Sequence, residues 1–85
     1  MTMTFHEHVT MTETDYGVVL LDLRSGQYFQ LNPTAATVVR ILRDGGDVAG
    51  AVDAVVGAFD VDRQRAEQDV TALLSDLRDS GVLAP

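Results

Sequence analysis

The tripeptide His6-Glu7-His8 is the first place where side chains able to do chemistry come together. In an extended segment both imidazoles leave one face of the strand, as two ligands of a zinc site would. Such a site still needs a third and a fourth ligand at fixed distances. Glu7 points to the opposite face and the chain has no other histidine, so the pair reads as a solvated strand face. Asp44 and Asp47 flank Gly45-Gly46, but the remaining oxygen ligands and the closing bidentate Glu of a calcium loop are missing. Ser25, Ser75 and Ser80 have no base nearby in sequence, and nothing orients His6 or His8 as a general base. The glycine-rich stretches are not followed by Gly-Lys-Ser/Thr, so they form no phosphate loop. The expectation is a chain without a catalytic constellation, a metal or a cofactor.

The elements around these residues divide into a strand-rich N-terminal third and a helical remainder. From Phe5 to Met11 the residues alternate, with Phe5, Val9 and Met11 on one face and His6, His8 and Thr10 on the other. Thr14-Asp15-Tyr16-Gly17 has turn chemistry. Val18 to Leu23 is a β-branched and leucine-rich run, expected to be a central strand covered on both faces. Arg24-Ser25-Gly26 makes a second turn, and Gln27 to Leu31 a third short strand, giving an antiparallel meander. Asn32 suits an N-cap and Pro33 the first helical position. Ala35, Val38, Val39 and Leu42 follow at helical spacing up to Gly45-Gly46. Asp47 can cap a second helix that buries Val48, Ala51, Val52, Val55 and Phe59. Asp62 can cap a third, with the stripe Ala66, Val70, Leu73, Leu74 and Leu77, and Gly81 suits the position just past its end. This pattern predicts a small α+β domain, a three-stranded antiparallel sheet followed by three helices.

Composition bounds what such a domain can do. At 85 residues, 46% of them hydrophobic and 22% charged, the chain has room for one core. Residues 1–4 are expected to be a disordered tail and 5–85 the domain. No cysteine is present, so stability must come from packing. The longest apolar run, Val18 to Leu21, is far short of a membrane span, and Met1 to Thr4 lack the features of a signal peptide. A cytoplasmic protein without a membrane partner is the expectation. The formal net charge of −7 repels phosphate backbones.

The stretch GVVLLDLRSGQYFQLNPTAATVVRILRDGG resembles the PqqD-like pattern of an apolar strand, a Gly turn, a Tyr-containing strand, Leu-Asn and a helix opening on small residues. VDRQRAEQDVTALLSDLRDSGVL is similar to the last helix of that family, with Asp-Val near its middle and Leu, then Gly, towards its end. The likeness runs from about Phe5 to Leu83. One departure is Val39, where many relatives carry Trp. Within the family the wording LLDLRSGQYFQLNPTA is similar to stand-alone recognition proteins of lasso-peptide pathways. The resemblance implies a winged helix-turn-helix-like fold that binds the leader peptide of a ribosomally made precursor. It further implies delivery to a separate cysteine-protease-like leader peptidase, with an ATP-dependent cyclase as a further partner.

The residues themselves admit such a role. An edge strand has unpaired N–H and C=O groups that an extended peptide can satisfy. The candidate site is Gln27, Tyr28, Phe29, Gln30 and Leu31 of the third strand, with Asp69, Val70, Leu73, Leu74, Asp76 and Leu77 of the last helix. Tyr28 and Leu74 are expected at the groove, Phe29, Leu31 and Leu73 in the core, and Asp69 and Asp76 at the rim. An apolar stripe at helical spacing is usually only core, so the groove reading rests on the resemblance. A winged-helix DNA reader would show a basic recognition helix. Here Arg63, Arg65 and Arg78 are outweighed by Asp62, Glu67, Asp69, Asp76 and Asp79, so no nucleic-acid partner is expected. A scaffold that mainly contacts an enzyme is the remaining alternative.

Overall fold

The computed structural model describes residues 5–83, so the expected tail over residues 1–4 and the last two positions lie outside the described residues. Three strands, β1 (Val9–Thr14), β2 (Gly17–Asp22) and β3 (Tyr28–Leu31), are followed by α1 (Pro33–Arg43), α2 (Val48–Ala58) and α3 (Arg63–Asp79). The sheet is antiparallel in the order β1-β2-β3, and the α+β architecture is the one read from the sequence.

The first strand starts later than the alternation predicts. The chain turns at its start, where Val9 N–H donates to the His6 carbonyl, so His6 and His8 are not neighbours on a strand. β1 instead continues through Thr12, Glu13 and Thr14, whose β-branched threonines suit a pleated surface. Burial along β2 alternates: Val18 and Leu20 are fully buried and Asp22 nearly so, while Val19 and Leu21 are half-buried. The expectation of a strand covered on both faces is corrected here. An antiparallel sheet with helices on one face leaves the other wet, and Leu23 lies beyond the strand, largely exposed. β3 begins one residue later than expected, at Tyr28.

All three predicted helix caps form. Asn32, Asp47 and Asp62 accept the backbone N–H of Ala35, Gly50 and Arg65, each at 2.8 Å. These bonds satisfy amides that a helix N-terminus leaves orphaned. α1 and α3 end in the same way. Gly45 N–H reaches the Leu42 carbonyl and Gly46 N–H the Ile41 carbonyl, while Gly81 N–H reaches Arg78 and Val82 N–H reaches Leu77. This pairing is the Schellman motif, which needs a left-handed residue just past the helix. Gly45 and Gly81 supply it at φ 88° and 79°. In α2, Ala51, Val52 and Val55 are buried as expected, but Val48 is 37% exposed and Phe59 is half-buried at the C-cap. Both sit at helix ends, where the buried stripe runs out.

The core joins Val18 and Leu20 of the sheet to Val38, Val39, Val55 and Val70 of the helices. Val39, the departure from Trp, is completely buried. Val82 and Leu83 complete this core, an element that periodicity did not reveal. They return alongside the N-terminal segment, where Phe5 and Leu83 form an antiparallel bridge and His6 N–H donates to the Val82 carbonyl.

Two glycines test this packing. A Cβ on Gly46 would stand 2.5 Å from Ile41 Cγ2 and 2.9 Å from the Ile41 carbonyl oxygen. Gly46→Ala should therefore destabilise by about 1–3 kcal/mol. A Cβ on Gly57, inside α2, meets nothing within 4 Å. Gly57→Ala should stabilise by about 0.4–1 kcal/mol through the unfolded chain. Denaturant unfolding of the two variants checks both signs.

Candidate functional site

β3 is an edge strand, and its register decides which of its amides are free. Asp22 N–H donates to the Gln27 carbonyl at 2.8 Å, which makes this a hydrogen-bonded pair. Such pairs alternate along an antiparallel ladder. The partners Leu20–Phe29 and Val18–Leu31 therefore exchange bonds, while Tyr28 and Gln30 direct their N–H and C=O groups away from the sheet. Side chains alternate independently of this. Phe29 and Leu31 face the helices, the first half-buried against the core and the second 8% exposed. Tyr28, 70% exposed, and Gln30 lie on the opposite face. The expected positions of Phe29 and Leu31 agree with this geometry. Tyr28 is not on the helix side of the sheet, because the strand's period of two carries it outward.

On the helix side a cavity of about 380 Å³ opens between the start of α1 and the middle of α3. Asn32, the residue directly after β3, lines it with Thr34, Ala35 and Val38, and α3 contributes Asp69, Val70, Ala72, Leu73 and Asp76. The predicted roles of two leucines are exchanged. Leu74 is 4% exposed and belongs to the core with Ala66, Val70 and Leu77, whereas half-buried Leu73 lines the cavity. At 100° per residue Leu73 sits beside the core stripe, on a second face shared with Asp69 and Asp76. Leu77 is buried and lines no part of the cavity. Asn32, Thr34, Ala35, Val38 and Ala72 were not anticipated. The small side chains Ala35 and Ala72 leave the space, a signal visible only once the two helices are known to face each other.

Asp69 and Asp76 give this cavity an acidic rim. Asp69 is held by Arg65, one turn away at 3.4 Å, and among the described residues Asp76 forms no ion pair. Neutral acceptors and donors come from Asn32 and Thr34. The site therefore combines an apolar floor, two carboxylates and a strand edge offering regularly spaced backbone groups.

The turn that leads into β3 is held by Asp22. Its carboxylate accepts the backbone N–H of Arg24 at 2.9 Å and of Ser25 at 3.3 Å, and Gly26 N–H returns to the Asp22 carbonyl. His8 Nε2 stands 3.8 Å from the same carboxylate. The Arg24 amide above all holds the Asp22 pKa below its ordinary value, against the opposing effect of burial. A depressed folded-state pKa adds stability above the unfolded value of 3.8, and that stability is lost as pH falls through the folded value. Asp22→Asn keeps an acceptor but removes the charge. The stability gap between wild type and this variant should close as pH falls below about 5, as thermal melts across that range would show.

Comparison with known proteins follows from this architecture. The family of coenzyme PQQ synthesis protein D (PqqD) matches residues 17–83, from the start of β2 to the final bridge. No curated protein matches the chain. A solved structure described as lasso peptide synthetase B1 complexed with the leader peptide superposes with a TM-score of 0.92 at 39% identity, over 100% of both chains. A second, TbiB1 in complex with the TbiA(beta) leader peptide, gives 0.88 at 30% identity over 94% of this chain and 93% of that one. The sheet and helices that build the strand edge and its neighbouring cavity are thus shared with proteins solved in complex with leader peptides, and the chain belongs to the PqqD family.

Proposed function

We propose that this protein binds the leader peptide of a ribosomally made, lasso-type precursor by accepting it as a fourth strand on β3. The observation that carries this reading is the coincidence of a free strand edge, at Tyr28 and Gln30, with a lined cavity starting at Asn32. Backbone bonds to the edge supply sequence-independent affinity, and alternate peptide side chains fall to the two faces. Those on the helix side enter the space floored by Val38, Ala72 and Leu73 and rimmed by Asp69 and Asp76. Those on the other side meet Tyr28. The leader structures of the two relatives support the ligand class.

In this role the protein does no chemistry. It orders an extended peptide and presents it, in the cytoplasm, to a separate cysteine-protease-like leader peptidase and then to the cyclase that closes the ring. Binding a flexible peptide carries an ordering cost, which a preformed edge and cavity reduce on the protein's side.

The leader of its cognate precursor should bind without the core peptide, with a dissociation constant on the order of 1 μM or tighter, about −8 kcal/mol. The TbiA(beta) leader serves as the comparison probe. Amides of Tyr28 and Gln30 should shift on titration, and shifts confined to β1 would reject the edge assignment. Gln30→Pro removes an outward donor and should leave a folded protein that no longer binds. Phe29→Pro removes a ladder bond to β2 and should unfold the domain.

A second set of variants separates cavity from core. Ala72→Leu fills the space from an exposed position and should abolish binding with little change in the melting temperature. Leu73→Ala should weaken binding more than folding. Leu74→Ala, in the core, should cost about 2–5 kcal/mol of stability. Isothermal titration and thermal melts read the two effects apart, and parallel losses in all three variants would remove the cavity from the site.

A further inference from the structure

A second cavity, of about 430 Å³, lies at the other end of β3 and has no part in the reading above. It is lined by His6, His8, Asp22, Arg24, Ser25 and Gly81. The imidazoles of His6 and His8 stack with their centroids 5.0 Å apart and their planes 20° from parallel. Arg24 is exposed, and among the described residues it and Arg78 form no ion pair, whereas Arg40, Arg43, Arg63 and Arg65 are each matched to an acid. The one carboxylate of the cavity, Asp22, already accepts the Arg24 and Ser25 amides. On a chain of net charge −7, a free guanidinium and two imidazoles therefore share one recess.

We infer that this recess is a carboxylate-binding subsite, taking an acidic side chain of the bound peptide just C-terminal to its strand-paired stretch. The inference rests on the proposed strand addition and on its direction. Both existing strand pairings are antiparallel. A fourth strand added in the same sense starts opposite Leu31, ends opposite Tyr28 and then leaves past the turn that carries Arg24 and Ser25. The guanidinium donates paired N–H groups that match a carboxylate, and the His6 imidazole adds a further donor, while His8 Nε2 already stands 3.8 Å from the Asp22 carboxylate. The acidic rim at Asp69 and Asp76 lies along the paired stretch, so opposite charges on the protein frame the peptide: acidic beside the strand, basic at its exit. This polarity specifies the orientation of the peptide, which backbone bonds alone leave open.

Two measurements test the subsite separately from peptide binding. In the first, sodium acetate is titrated against sodium chloride at matched ionic strength, following backbone amides and imidazole ring signals. Saturable shifts at His6, His8, Arg24 and Ser25 are expected with a dissociation constant on the order of 10 mM, near −3 kcal/mol. They should be absent in Arg24→Gln, which changes an exposed side chain and keeps the backbone bond to Asp22. In the second, the leader is made with the residues following its paired stretch replaced by Glu, Gln or Lys. The Glu peptide should bind wild type about three- to tenfold more tightly than the Gln peptide, and the Lys peptide more weakly than either. Arg24→Gln should erase that order and leave the Gln peptide unaffected. Acetate shifts that persist in Arg24→Gln, or a Glu preference that it does not reduce, overturn the subsite. Failure of every peptide together with the expected acetate response would instead reject strand addition and keep the carboxylate site.

Discussion

The chain passes from β3 into α1 through a single residue, and much of the architecture follows from that economy. Leu31 ends the strand, Pro33 starts the helix, and Asn32 between them caps it through a 2.8 Å bond to the Ala35 amide. With no loop to wander, α1 must leave on the buried face of the sheet. It cannot fold back over the outer edge of β3. The same step brings Thr34, Ala35 and Val38 opposite α3, so the junction that leaves the edge open also forms one wall of the cavity. A longer connection at this point would permit the helix to cover the strand, as proteins commonly do with exposed edges.

The elements that the sequence displays most plainly are those governed by local chemistry. Asn32, Asp47 and Asp62 were legible as caps because each precedes an apolar periodic run, and Gly81 because a helix needs a left-handed residue after its last turn. Leu73 and Leu74 show where local reasoning ends. Both fit a helical stripe, and only the positions of α1 and α2 decide which of them is enclosed. The same holds for Val19 and Leu21, which look central in sequence but face the uncovered side of the sheet. His6 and His8 were placed on a strand by alternation. The turn closed by Val9 and His6 moves them to the end of the sheet, where the return of Val82 supplies a partner no local pattern contains.

Charge is distributed with the same division of labour. Glu13 on β1 pairs with Arg40 and Arg43 of α1, tying the far edge of the sheet to the helix layer. The Arg43 hydrogen bond first, then that of Arg40, keeps its carboxyl below the ordinary range. Arg63 is held by Asp53, which links α2 to α3. These pairs occupy much of the positive charge in fixing elements to one another. What is left for a ligand is mostly acidic along α3, a surface suited to a peptide and poorly suited to a phosphate backbone.

The bridge between Phe5 and Leu83 brings the two ends of the described chain together, and neither residue lines the cavity beside α1. A tether attached at either end would thus start from the same spot and sweep the same volume around the domain. Fusing an enzyme to the front or to the back becomes nearly equivalent in the effective concentration it creates. The order of modules along a polypeptide would then be free to vary while their spatial relation stays the same. The exposed Asp15-Tyr16 turn is a natural place to reopen a circularly permuted chain.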